Sequence, residues 1–229
     1  MPSGQHQTAV VTWRDRNIPV STRFDDPYFS LAGGLAETRH VFLSGNDLPA
    51  RFCPGFHIAE LGFGTGLNML ASWQLWLESG QQTDLQFTSF EAFPMALQDL
   101  QTALTAFPEI AHLSMQFLDL WRDGITELVM PGIHVQIIYG DANHTVPRWN
   151  ERADAWFLDG FSPAKNPELW RPDLLAAVGA RTNSNGTCAT YSAAGHVRQA
   201  LSNAGFAVDR VPGFANKRHM TTGLMKAQP

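Results

Sequence analysis

Residues Phe56–Leu70 read "FHIAELGFGTGLNML". "FHIAEL" is a short apolar run, which predicts a buried strand. "GFGTG" (Gly62–Gly66) predicts a tight turn, and "LNMLASWQLWLESG" a helix ending near Gly80. Strand, glycine turn and helix in that order place bare backbone and free helix N–H groups at the strand's carboxyl end. In an open parallel sheet that end is the ligand crevice. A tight strand–helix connection alone would also use these glycines. The spacing is G-x-G-x-G, with Leu67 standing where the fingerprint G-x-G-x-x-G continues, so a dinucleotide fold is disfavoured.

Outward from this unit, strands and helices alternate. "LQFTSFEA" (Leu85–Ala92) reads as a strand, and Pro94 suits the first position of a helix whose apolar residues are Leu97, Leu100, Leu104 and Phe107. "PEIAHLSMQFLDLW" reads as a second helix, and "ITELVMPGIHVQIIYGDA" as two strands joined at Pro131–Gly132. "ADAWFLD" and "GTCATYS" read as strands around the helix "RPDLLAAVGART". The helix "GHVRQALSNAGF" has Gly205 at its C′ position. "AVDRVPGFANKRHMTTGLMK" closes as a hairpin. This order predicts an α/β fold: a doubly wound, mainly parallel sheet with an antiparallel C-terminal edge hairpin. Residues 1–55 are irregular, with one or two short strands, a loop and "LAETRHVFLSG" as a short helix. They are expected to form an N-terminal extension over the cleft of a main domain spanning 56–229.

The 229 residues, 44% hydrophobic and 16% charged, suffice for a packed core. No run of eighteen apolar residues predicts a membrane span, and "MPSGQHQTAVVTWRD" lacks the pattern of a signal peptide. Cys53 and Cys188 read most simply as free thiols of a cytoplasmic protein. Eight histidines without C-x-x-C or H-E-x-x-H spacing predict no metal. A formal charge of −5 argues against binding nucleic acid by bulk charge and leaves room for a local basic face.

Four acids stand at four strand ends: Glu60, Glu91, Asp141 and Asp159. Glu91 suits the two hydroxyls of a ribose, and Asp141 either an adenine amino group or a turn cap. These loops contain no basic residue for a phosphate. An adenosine ligand with positive charge and no phosphate fits them, and S-adenosylmethionine is such a ligand.

The motifs "ELGFGTGLNML", "FTSFEAFP", "DAWFLDGFSPAKNPELW" and "FDDPYFS…GLAETRHVFLSGN" carry a further reading. Together, from about Trp13 to Met225, the chain resembles the methyltransferase domain of the MnmC family, bacterial bifunctional enzymes that complete 5-methylaminomethyl-2-thiouridine at the tRNA wobble position. The resemblance implies a class I, Rossmann-like S-adenosylmethionine methyltransferase fold. It implies transfer of a methyl group to the exocyclic amine of 5-aminomethyl-(2-thio)uridine in tRNA. It implies cofactor contacts from Glu60, Gly62, Gly64, Gly66, Asn68, Glu91, Asp141 and Asp159. Substrate contacts would come from Phe29, Phe161, Pro163, Lys165, Lys217 and Arg218, with Asp159 and Phe161 at the chemistry. No second glycine fingerprint for an FAD oxidase domain follows before Pro229, so the expected form is a standalone methyltransferase. In "GFANKRHM", Ala215, Asn216 and His219 depart from a glycine, a basic residue and an acid in the family stretch.

Asp159 then has a chemical reading. Methyl transfer from a sulfonium requires the donor carbon and the amine nitrogen to be aligned. A carboxylate there holds the amine and stabilises charge developing on nitrogen. An ordinary aspartate, with a pKa of about 3.9, is a weak base for an alkylammonium, so the proton is expected to leave to water. The prolines stiffen the loop that follows. Phe161 offers a ring to the uracil or simply packs, Lys165 offers a cation to a phosphate or is a solvated surface charge, and Asp159 could also be only a strand-end turn cap. The alternatives are a methyltransferase acting on another amine, small molecule or RNA, and a non-catalytic nucleotide- or RNA-binding module. A nicotinamide dehydrogenase ranks behind both.

Overall fold

The computed structural model describes residues 7–15 and 17–226; the outer ends of both expected segments, and Arg16, lie outside them. Three short strands, β1 (Val11–Arg14), β2 (Ile18–Ser21) and β3 (Asp26–Pro27), form a small antiparallel sheet. Helix α1 (Gly34–Thr38) runs on through wider and tighter helical turns to Asn46. Then come β4 (His57–Leu61), α2 (Leu67–Glu78), β5 (Leu85–Glu91), α3 (Leu97–Leu104), α4 (Ala111–Leu120), β6 (Glu127–Met130) and β7 (Ile133–Tyr139). After these follow α5 (Ala142–Thr145), β8 (Ala153–Leu158), α6 (Pro172–Ala180), β9 (Thr182–Thr190), α7 (Gly195–Asn203), β10 (Phe206–Pro212) and β11 (His219–Met225).

The main sheet has the order β10-β11-β9-β8-β4-β5-β7-β6. Its five central strands are parallel. The chain builds outward from β4 through β5 to β7, then returns to lay β8 on the other side of β4. The crevice therefore falls at the carboxyl ends of β4 and β8, where the strand order reverses. Strand β4 is buried along all five residues, as a central parallel strand must be. Its alternation sends Ile58 into one apolar layer, with α2 and α4, and Ala59 and Leu61 into the other, with α6 and α7.

Three details differ from the sequence reading. Pro94 does not open a helix: α3 starts at Leu97, and the Pro94 carbonyl accepts from Ala9 N at 2.9 Å. The C-terminal hairpin forms an antiparallel edge as expected, with β11 between β10 and β9. The opposite edge is antiparallel too, because Gly132 (φ +84) lets β6 fold straight back on β7. The segment 1–55 is not wholly a cover: Val41, Phe42, Leu43, Leu48 and Phe52 belong to the same apolar layer as Ile58 and Phe87. Cys53 is exposed and Cys188 buried, and both are free. Among the described residues no helix is long and apolar enough to cross a membrane.

Candidate active site

A cavity of about 750 Å³ opens at the β4/β8 switch point. Gly62 (φ +86) ends β4 against the backbone of β8's terminal loop: a Cβ on Gly62 would lie 2.5 Å from the Asp159 carbonyl oxygen. Only glycine allows that approach, and it brings the turn and Asp159 to one wall.

One amide organises the floor. Asn68, on the first turn of α2, donates through Nδ2 to Asp159 Oδ2 at 2.7 Å and to Glu60 Oε1 at 2.9 Å. Its Oδ1 accepts from Thr38 Oγ1 at 2.8 Å. Both of its N–H groups are thus committed, which fixes the amide's orientation and positions the Asp159 carboxylate. Glu60 is fully buried, with Oε2 accepting from Ser89 Oγ at 2.7 Å. The expectation that Glu60 lines the ligand crevice is corrected: it shares Ile58's face of β4 and points under α2, behind Asn68. Burial raises its pKa. Asn68 and Asp159 reach the cavity wall and Glu60 does not.

Asp159 is half-buried, and desolvation pushes its pKa up to about 7; Asn68's hydrogen bond and Lys217's charge oppose the rise and Glu37 adds to it. The expectation of ordinary aspartate acidity is therefore corrected by the environment.

Glu91 ends β5 and ties two loops together. Oε2 accepts from Gly64 N at 3.0 Å and Oε1 from Phe93 N at 2.6 Å. The backbone of Phe63 and Ala92 bonds the same carboxylate, which lines the cavity. Burial raises its pKa against these backbone bonds. Asp141 caps α5, Oδ1 accepting from Asn143 N at 2.9 Å, and also lines the cavity. Gly64 (φ +53) lines it as well, whereas Gly66 (φ +74) starts α2 against the Phe63 ring and lies off the wall.

The roof comes from residues far away in sequence. Phe161 stacks on Phe24 (centroids 4.8 Å apart, 28° between planes) and meets Tyr28 edge-on at 5.0 Å. Asp26 Oδ2 accepts from Ser162 N at 3.0 Å, and Lys165 Nζ lies 3.5 Å from Asp26 Oδ1 and bonds the Asp25 carbonyl. So "FDDPYFS" and "DGFSPAKNP" are two halves of one structure. Two expectations change accordingly. Phe161 is already flanked by protein rings, and Lys165 is already neutralised by Asp25 and Asp26. Pro163 stiffens that loop outside the cavity wall. Phe29 touches the cavity edge, but its ring packs edge-on against Phe107 at 4.9 Å in the core.

Lys217 lines the cavity from the β10–β11 turn, paired with Glu37 Oε1 at 2.8 Å and 4.1 Å from the Tyr191 ring centroid. Arg218 beside it is exposed and off the wall. Residue-type reasoning gave no role to Glu37, Tyr191 or Asp26. Glu37 and Asp26 both sit inside the quoted motif "FDDPYFS…GLAETRHVFLSGN"; Tyr191 carries no sequence signal.

The chemistry of this wall suits S-adenosylmethionine. The volume lies within the range of small-molecule sites, about 300–1,000 Å³. Gly62 and Gly64 leave a backbone cradle that a Cβ would crowd, beside the Glu91 and Asp159 carboxylates. Among the described residues no three His, Cys, Asp or Glu group to hold a metal ion.

Comparison with known proteins agrees with the fold and with the cofactor class. A family model described as S-adenosyl-L-methionine-dependent methyltransferase matches residues 105–226, just over half of the chain. The chain belongs to that family, and S-adenosylmethionine is its cofactor. Its relatives carry the name toward which the motifs pointed. The chain is 40% identical over 230 residues to the tRNA 5-methylaminomethyl-2-thiouridine biosynthesis bifunctional protein MnmC of Leptospira borgpetersenii serovar Hardjo-bovis (strain JB197). It is 42% identical over 232 residues to the protein of that name from Pseudomonas syringae pv. syringae (strain B728a). Each match covers 96% of this chain and 35% of the relative, so the chain spans about a third of the length of these curated relatives. The crystal structure of MNMC2 from Aquifex aeolicus superposes with a TM-score of 0.78 at 24% identity, over 99% of this chain and 73% of that one. It shares the fold, a class I methyltransferase architecture.

Proposed function

We propose that this chain methylates a primary amine, the 5-aminomethyl group of (2-thio)uridine at the tRNA wobble position, giving 5-methylaminomethyl-(2-thio)uridine in the cytoplasm. The names of the relatives support the substrate. One observation carries the chemistry: the Asp159 carboxylate, fixed by Asn68, ends β8 on the cavity wall next to the Gly62 turn. The proposed cofactor contacts are Gly62, Gly64, Glu91 and Asp141, with Asn68 setting Asp159.

S-adenosylmethionine supplies a methyl group on a sulfonium when bound. The protein's part is to orient the amine and manage its charge. Asp159 holds the ammonium. With a pKa near 7, it sits closer to an alkylammonium than an ordinary aspartate does, and can accept the proton or pass it to water. Once that proton has left to water, the carboxylate faces the positive charge that grows on nitrogen. Phe24, Tyr28 and Phe161 close the roof against water, which strengthens these interactions. Lys217 and Arg218 offer cations to the RNA backbone.

The test is mass spectrometry of tRNA nucleosides after incubating aminomethyl-containing tRNA with the protein and S-adenosylmethionine. A mass gain of one methyl on the wobble uridine is expected, and none on tRNA lacking the aminomethyl group. Lys165 and Lys217 are both ion-paired within the protein and the net charge is −5, which favours a small-molecule amine as second reading. Methylation of free amines with KM independent of salt would select that reading.

A further inference from the structure

The cavity wall near Asp159 already holds a primary ammonium, supplied by the chain itself. Lys217 reaches from the β10–β11 turn to α1, its Nζ 2.8 Å from Glu37 Oε1 and 4.1 Å from the centroid of Tyr191. The Glu37 side chain is only 13% exposed, so its charge is costly to leave unpartnered. Tyr191 is fixed in turn: its hydroxyl donates at 2.6 Å to the carbonyl of Gly160, the residue after Asp159. A carboxylate and a ring face held at a set angle are what an alkylammonium binds, with N–H donated to the oxygen and charge over the π face. Lys217 is the loose member, 44% exposed on a flexible four-carbon stem.

We propose that Glu37 and the face of Tyr191 form the subsite that receives the substrate's primary ammonium beside Asp159, and that Lys217 fills this subsite in the free protein. The inference rests on the amine-methylation reading above and adds to it the residues that select a primary amine. The neighbourhood is electrostatically continuous: Glu37 raises the proton affinity of Asp159 and Lys217 lowers it. Lysine and an aminomethyl group present the same donor, so substrate replaces Lys217 without leaving Glu37 bare at any stage. The released lysine is then free to meet a phosphate on the same ligand. A neutral ligand has nothing with which to displace it.

The probe is propylammonium chloride, with no RNA present, followed by the ring resonances of Tyr191. In the wild type, propylammonium should shift them only at high concentration. Tetramethylammonium, which has no N–H to donate, should fail to do so. Lys217→Met keeps the stem and removes the ammonium. If Lys217 fills the site nine parts in ten, this variant should bind propylammonium about 10-fold more tightly than the wild type. Adding Glu37→Gln should abolish the binding, while affinity for S-adenosylhomocysteine in both variants shows that the fold is kept. A Tyr191 ring insensitive to propylammonium, or equally sensitive to both cations, overturns the proposal. So does a Lys217→Met protein that loses thermal stability and gains no affinity, which would make the contact a latch between the turn and α1. Because no RNA is used, failure here leaves the tRNA reading standing, and failure of tRNA methylation leaves a positive ammonium result standing.

Discussion

Asp159→Asn should make the protein more stable and less active. The fold raises this carboxyl from 3.8 to about 7, chiefly by desolvation. It therefore prefers the protonated acid. Stability that is complete below the unfolded pKa is lost as pH rises through 7, because ionisation is easy in the unfolded chain and hard in the cavity. A shift of about 3 units corresponds to about 4 kcal/mol as an upper bound, and solvent reaching the half-buried group reduces it to about 2. An amide cannot ionise and keeps an oxygen to accept from Asn68 Nδ2, so the variant escapes the loss. In a chain of this size about 2 kcal/mol moves Tm by roughly 4–8 °C. Thermal unfolding by circular dichroism without cofactor should put the variant above the wild type at about pH 8, with the gap narrowing toward about pH 4. Single-turnover methylation should meanwhile slow by about 10²–10³-fold, the effect of losing one preorganised electrostatic partner. A variant equal to or less stable than the wild type at about pH 8, or a gap that ignores pH, would refute the electrostatic account. An unchanged rate constant would reduce Asp159 to a structural cap.

Glu91→Gln should weaken S-adenosylhomocysteine binding by about 1.5–3 kcal/mol in calorimetry, the range for hydrogen bonds to a charged group; equal affinity would remove Glu91 from the site. Gly62→Ala forces a Cβ to 2.5 Å from the Asp159 carbonyl at a φ of +86, so cofactor binding and Tm should both fall, and a protein with wild-type values of both would contradict the close approach. Arg218→Gln should raise KM for tRNA and flatten its salt dependence while cofactor affinity holds; an unaltered salt slope would exclude this cation from the RNA face.

The wound sheet and its crevice were legible because they rest on local patterns. The run before Gly62 is a buried strand, the glycines mark a turn that only they can make, and Leu67–Glu78 carries the helical period. Asp159 and Glu91 could be found because a carboxylate ending an apolar strand is visible in the sequence. What Glu60 does was half legible: counting two from Ile58 puts it on the α2 face, yet only the structure shows Asn68 there to receive it. The partners of Phe161 and Lys165 were hidden because they come from Phe24–Tyr28, some 136–140 positions earlier for the polar contacts, and no spacing rule spans such a distance. The acidity of Asp159 was misjudged for the same reason, since desolvation belongs to the assembled cavity rather than to a residue type.

The bond from Asp26 to Ser162 N, with Lys165 on the same carboxylate, makes roof and loop a single rigid plate. A fluctuation that lifts Phe24 and Tyr28 therefore pulls on Ser162 and the loop that follows Asp159. Roof and loop then lift together, while Asn68 on α2 keeps its hold on the Asp159 carboxylate. The cover of the cavity and the carboxylate on its wall are thus anchored on different elements, so the one can give way while the other keeps its aim.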